Sequence, residues 1–202
     1  MKRLLPLTIA LAATSLSGCG DQGNTNGSGN GSSEAAAGEG EDGGKTVAAG
    51  LDQNGRFFQS AKAAGLDATL AGPGPYTVLV PSDDAFGKVQ GGAFGDPANP
   101  QNRAELTRVL TYHILPGTIL AEDIGKAIDN AKGSTMLATM GGQTLTATRE
   151  GDRIILTDSA GTKATVTKAD NRFSNGVVHN IDTVLMPGEG GAAPEAAGGN
   201  AQ

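Results

Sequence analysis

Residues 144–185 read TLTATREGDRIILTDSAGTKATVTKADNRFSNGVVHNIDTVL. Four stretches rich in Thr, Val, Ile and Leu lie within it, at residues 144–149, 153–157, 162–168 and 176–185. Glu150 and Gly151, then Ser159, Ala160 and Gly161, supply turns between the first three. Short β-branched runs punctuated in this way predict consecutive strands of an antiparallel sheet.

Upstream the period changes. Phe57, Ala61 and Ala64 recur at helical spacing ahead of Gly65, a helix stop. Tyr76, Val78 and Val80 alternate with Thr77 and Leu79 and predict a short strand that ends at Pro81. Ser82 then caps a short helix whose first turn carries Asp83 and Asp84, where carboxylates suit the helix dipole. Leu106, Val109, Leu110 and His113 form one stripe of a helix over residues 103–113. Helices gathered in one half and a sheet in the other make an α+β domain.

The flanks differ in kind from this domain. Lys2 and Arg3 precede Leu4, Leu5, Leu7, Ile9, Leu11, Ala12 and Ala13, and no further charge occurs until Asp21, the layout of a secretory signal. The apolar run falls short of the ~20 residues that span a bilayer. Leu16, Ser17, Gly18 and Cys19 resemble the lipobox of bacterial lipoproteins, which predicts removal of residues 1–18 and lipidation of Cys19 as the first mature residue. Cys19 is the one cysteine of the chain, so a lipidated protein would hold no free thiol for disulfides, thiolate metal sites or nucleophilic chemistry. The retention signal of some enteric bacteria places Asp where Gly20 stands, so the outer membrane is expected ahead of the inner. Residues 19–45 are Gly, Ser, Asn, Ala and Glu rich and read as a flexible linker spanning about 25–30 Å. Residues 188–202 read as a disordered tail, which leaves residues 46–187 as one domain.

Charge narrows the choice of partner. The 202-residue chain has a formal net charge of −6, with no Trp and 3% aromatic residues, so its core must be aliphatic. Within residues 46–187 six Lys and six Arg face fourteen Asp and Glu, and most of the acidic excess lies in the flanks. No clustered basic run recommends a nucleic-acid backbone as partner.

Three segments, residues 74–86 (GPYTVLVPSDDAF), 110–117 (LTYHILPG) and 174–187 (SNGVVHNIDTVLMP), resemble the fasciclin (FAS1) domain. They match its T-V-F-A-P-x-x-x-A-F strand and helix, its Tyr-His motif and its closing N-G-V-V-H-x-I-D strand. The resemblance implies a fasciclin-like twisted β-sandwich or wedge with helices packed along it. It also implies a non-catalytic role in adhesion or binding, with another protein or a polysaccharide of the envelope or matrix as partner. Tyr112, His113, Asn175, Gly176, His179 and Asp182 stand at its motif positions. Asn180 departs from the pattern, which has an apolar residue there, and residues 91–102 and 126–134 read as added loop or helix. Animal members are reported to use an Asp followed by Ile for receptor binding just before the closing strand. Here the pair is Asp170 and Asn171, which become the candidate partner-binding residues, with a plain surface turn as the alternative.

His113 and His179 are the only histidines, and both lie on apolar elements, so hydrogen-bonded structural roles are expected of them. Two histidines without thiols fall short of the three or four ligands zinc requires, and neither metal nor cofactor is expected. Asp83 and Asp84 are adjacent on a helix and so do not converge on a common proton. Residues 72–75 lack the Lys and Ser or Thr of a phosphate loop, and no G-x-S-x-G elbow lies in the domain. Nucleophile, base and orienter cannot be assembled into a catalytic set. The sequence therefore predicts a binding or adhesion module tethered to a membrane through Cys19 and facing periplasm or cell surface. An envelope structural or stress-related protein, and then a hydrolase, are the rival readings.

Overall fold

The computed structural model describes residues 44–89 and 94–188. The expected signal peptide and Cys19, the linker up to residue 43 and the tail from residue 189 lie outside the described residues. In chain order the elements are α1 (Val47–Gly50), α2 (Arg56–Ala64), α3 (Asp67–Ala71), β1 (Tyr76–Pro81) and α4 (Asp83–Lys88). A 3-10 turn (Pro100–Asn102) leads into α5 (Arg103–Tyr112), followed by β2 (Ile114–Pro116) and α6 (Ala121–Asn130). The chain closes with β3 (Ser134–Ala138), β4 (Thr144–Glu150), β5 (Arg153–Thr157), β6 (Lys163–Phe173) and β7 (Gly176–Ile181).

Local signals are honoured. Gly65 ends α2 at φ +79°, a left-handed conformation that glycine adopts at little cost, and the Ser82 side chain accepts the Ala85 N–H at the start of α4. The stretch from 126 to 134, expected as added loop or helix, holds the last turns of α6, a turn at Lys132 and Gly133, and the first residue of β3.

The seven strands run in the order β2-β1-β7-β6-β5-β4-β3. The sheet is mixed where an antiparallel one was expected: β1 lies parallel to β7, with Tyr76 opposite Gly176 and Pro81 opposite Ile181. β1 comes from the helical half and inserts between β2 and β7, so a local reading of the later strands could not supply it. β6 runs on to Phe173, past its expected end at residue 168, and β7 stops at Ile181, short of residue 185. Register shifts between Val166 and Lys168, and between Lys168 and Asn171, absorb extra residues and let β6 continue along β7.

The long β6 belongs to two leaves of a wedge. Its first residues pair with β5, and the remainder pairs with β7. At the far edges the Met140 N–H donates to the Ile114 carbonyl at 2.7 Å and the Gly141 N–H to that of Thr111 at 3.1 Å, so the sheet nearly closes on itself.

Two apolar cores result. Phe57, Phe58, Leu70, Phe86, Leu106 and Val109 pack the helices onto Val78 and Val178. Inside the wedge, Ile124 and Ile128 of α6 meet Leu79, Tyr112, Leu145, Leu156 and Ile181. β1 sends Val78 to one core and Leu79 to the other, the alternation expected of a strand covered on both faces.

Candidate functional site

Both histidines are fixed by paired hydrogen bonds. His113 ends α5 with 1% of its surface exposed, its Nδ1 lying 2.8 Å from the Val109 carbonyl and its Nε2 accepting the Leu185 N–H at 3.1 Å. These partners assign the neutral tautomer with the proton on Nδ1. Burial lowers the His113 pKa to about 4, against the Val109 carbonyl and Asp158, which pull it upward.

His179 uses the opposite tautomer. Its Nδ1 accepts the Asp170 N–H at 3.1 Å, and its Nε2–H donates to the Ile119 carbonyl at 2.9 Å. Burial again lowers its pKa, with the Ile119 carbonyl and the Asp170 carboxylate acting the other way. Each ring nitrogen of both histidines has its own backbone partner, an arrangement that orders elements.

Asp170 is part of the same junction. Its backbone sits at φ +59°, a conformation that Asp tolerates better than most residues, and its Oδ1 accepts the Ala121 N–H at 2.9 Å. A carboxylate is thus set against the first residue of α6, where the dipole favours it. Asn171 enters another network, its Nδ2 donating to the Val178 carbonyl at 3.2 Å and to Asn180 Oδ1 at 3.1 Å. The two candidate contact residues, both half-buried, are thus held by separate hydrogen-bond networks. Asn171 and Asn180, which both depart from the fasciclin pattern, satisfy each other. Asp170→Ala is expected to destabilise the domain by about 1 kcal/mol through loss of the α6 contact, measurable by urea unfolding; an unchanged midpoint would contradict it.

Asn175 ties together the start of the domain. Its Oδ1 accepts the Val47 N–H at 2.7 Å, and its Nδ2 donates to the carbonyls of Leu70 at 2.9 Å and Gly72 at 2.7 Å. Gly176 follows because any Cβ there would collide with the Tyr76 carbonyl of β1. Asp182 Oδ1 accepts the Thr165 N–H at 2.8 Å and the Thr183 hydroxyl at 3.0 Å. Burial is the largest influence on the Asp182 carboxyl and raises its pKa, but these bonds together outweigh it and hold the pKa low. The Tyr112 hydroxyl donates to the Thr144 carbonyl at 3.2 Å, joining α5 to β4.

Beside Asn175 and Gly176 lies a groove of about 470 Å³ walled by Pro73, Pro75, Thr118, Leu120, Arg172 and Phe173. Asn175 fixes the segment before β1, and the His179 bond to Ile119 fixes the segment carrying Thr118 and Leu120. The walls are therefore held in place before any partner arrives. Arg172 is exposed and, among the described residues, has no carboxylate partner. Sequence reasoning missed Arg172, Thr118 and Leu120, although Arg172 directly follows the flagged pair.

Comparison with known proteins accords with this geometry. The sequence model of the fasciclin domain matches residues 53–187. Protein sll1483 of Synechocystis is 35% identical over 141 residues, covering 70% of this chain and 71% of that protein. Protein sll1735 of the same organism is 32% identical over 144 residues, covering 70% of this chain and 96% of that protein. A solved FAS1 domain pair from the insect cell adhesion molecule Fasciclin I superposes with a TM-score of 0.60 at 20% identity. That match covers 70% of this chain and 51% of the other.

Proposed function

Because the chain belongs to the fasciclin family, we propose that it is a non-catalytic binding module of the cell envelope. Lipid on Cys19 holds it to a membrane, and the Arg172 groove receives a protein or polysaccharide of the envelope or matrix. The observation that carries this reading is how the polar motif residues are used. His113, His179, Asn175 and Asp182 are all committed to hydrogen bonds within the domain, while the groove beside Asn175 carries the exposed Arg172 on its wall. The fold match to a domain pair from a cell adhesion molecule supports the same reading.

The test is cross-linked capture from envelope extract with the full chain and with Arg172→Glu. Partners recovered by the parent and lost by the variant support the groove. Equal recovery by both would exclude Arg172 as a contact, and no recovery by a folded parent would remove the binding reading.

The anchor has a separate test. Cys19→Ala is expected to leave the membrane fraction or remain unprocessed, because one substitution removes every attached acyl chain and each buried methylene contributes ~0.8 kcal/mol of membrane affinity. Partition of the variant into detergent at the parent's level would exclude lipid attachment at Cys19.

A further inference from the structure

A second concavity lies away from the Arg172 groove, and it differs in charge from the protein that carries it. It is a groove of about 410 Å³ between the end of α2 and the segment leading to α5. Among the described residues its charged lining is Lys62 and Arg103, with no carboxylate. Among the described residues neither cation has a carboxylate partner, whereas Lys126, Arg149 and Lys163 pair with Glu122, Asp129 and Glu150. In a chain of net charge −6, two unpaired cations sharing one concave surface form a local site for negative charge.

The site is braced on both sides. Arg103 Nε donates to the Ala64 carbonyl at 3.4 Å, and Arg103 Nη2 lies over Gly65, where a Cβ would come within 2.7 Å of it. One end of the guanidinium is thereby oriented while the residue as a whole remains exposed. Across the groove, Asn102 Nδ2 donates to the Asp96 carbonyl at 2.9 Å and Asn99 Oδ1 accepts the Gln101 N–H at 3.0 Å, which hold the segment carrying Pro97 and Pro100.

We propose that this groove binds the carboxylate-bearing sugars of an acidic polysaccharide. A guanidinium fork and an ammonium receive the carboxylate. Gln59 Nε2 donates to the Gln53 carbonyl and Asn99 Oδ1 accepts the Gln101 N–H, which leaves Gln59 Oε1 and Asn99 Nδ2 for sugar hydroxyls, and the rings of Pro97 and Pro100 offer apolar surface to the C–H face of a pyranose. A small inorganic anion would use the cations and leave the amides and prolines idle. The proposal rests on the reading of the chain as a binding module and names a partner class for a second surface.

Affinity electrophoresis of the full chain in gels containing polygalacturonate tests it, with dextran as the neutral control. Polygalacturonate is expected to retard the protein, dextran is not, and retardation should weaken as salt rises because exposed charges are then screened. Lys62→Glu, an exposed change that leaves the Arg103 bond to α2 in place, should weaken binding about tenfold, as loss of one charge-assisted contact does. Arg172→Glu should bind polygalacturonate like the parent. Equal retardation of parent and Lys62→Glu, equal retardation by dextran, or full displacement by millimolar inorganic phosphate would each overturn the proposal. If polygalacturonate does not retard the chain while Arg172-dependent capture of a partner persists, this groove is excluded and the binding-module reading survives.

Discussion

Asn175→Ala should lower the stability of the domain by about 4 kcal/mol, because it removes three hydrogen bonds and leaves two buried backbone partners and one half-buried one without this side chain. The Val47 N–H and the carbonyls of Leu70 and Gly72 belong to two separate segments, and the neighbouring Ser174 hydroxyl adds a link to the first of them through the Lys45 carbonyl at 3.0 Å. For a domain of this size a loss of that order lowers the melting temperature by ~10 °C or more. Asn175→Asp provides a graded comparison, since it keeps the acceptor for Val47 and loses both donors. Melting curves of the three proteins decide the matter. An alanine variant that melts within ~2 °C of the parent would show that Asn175 is not the tie described here.

Acid should destabilise the protein well before most carboxylates titrate. Burial places the folded-state pKa of His113 at about 4, below the ordinary histidine value of about 6.5. The unfolded chain therefore binds a proton that the folded chain refuses, and stability rises with pH across that interval. The His113 contribution is fully present above pH ~6.5 and is lost as the pH falls toward ~4, a swing of about 3 kcal/mol. His179, lowered in the same direction, adds to it. Protonation would also oppose a ring N–H to the Leu185 N–H at one site and to the Asp170 N–H at the other. Asp182 titrates below its usual range, and its effect falls at the acid end of the window or beyond it. Urea unfolding at pH 7 and pH 5 measures the slope. His113→Gln should be less stable than the parent at pH 7 and less sensitive to acid. Equal parent stability at the two pH values would refute the assignment of His113 as a buried neutral ring.

What the sequence could disclose depended on the range of each interaction. Gly65 stops α2, Ser82 caps α4 and Gly151, with Asp152 in place of the expected Glu150, turns β4 into β5 through contacts a few residues apart, so composition and period sufficed. The start of α6 carries no such signal: Ile124 and Ile128 have helical spacing, but Leu120 at its N-cap has no side-chain oxygen to announce a helix. The parallel seating of β1 was out of reach, since Tyr76 and Gly176 become neighbours only in the folded sheet. Much the same is true of the Arg172 groove. Its walls come from the segments around Pro73, Thr118 and Arg172, and none carries a pattern announcing the other two. The junction of Asp170 with His179 was half visible: both residues stood out, but the bulge that turns the Asp170 N–H onto the ring did not.

The position of β7 also governs the order of events during synthesis. The strand next to β1 is the last strand described, and Asn175 beside it bonds to Val47, 128 residues earlier. A nascent chain that has emerged only as far as β6 has its helices, its hairpins and β2 beside β1, but lacks the second neighbour of β1, and such long-range pairing is slow to form. The domain thus has a late checkpoint built into its connectivity. On the envelope location proposed above, which requires export, that delay would keep the leading part from closing until β7 has been made.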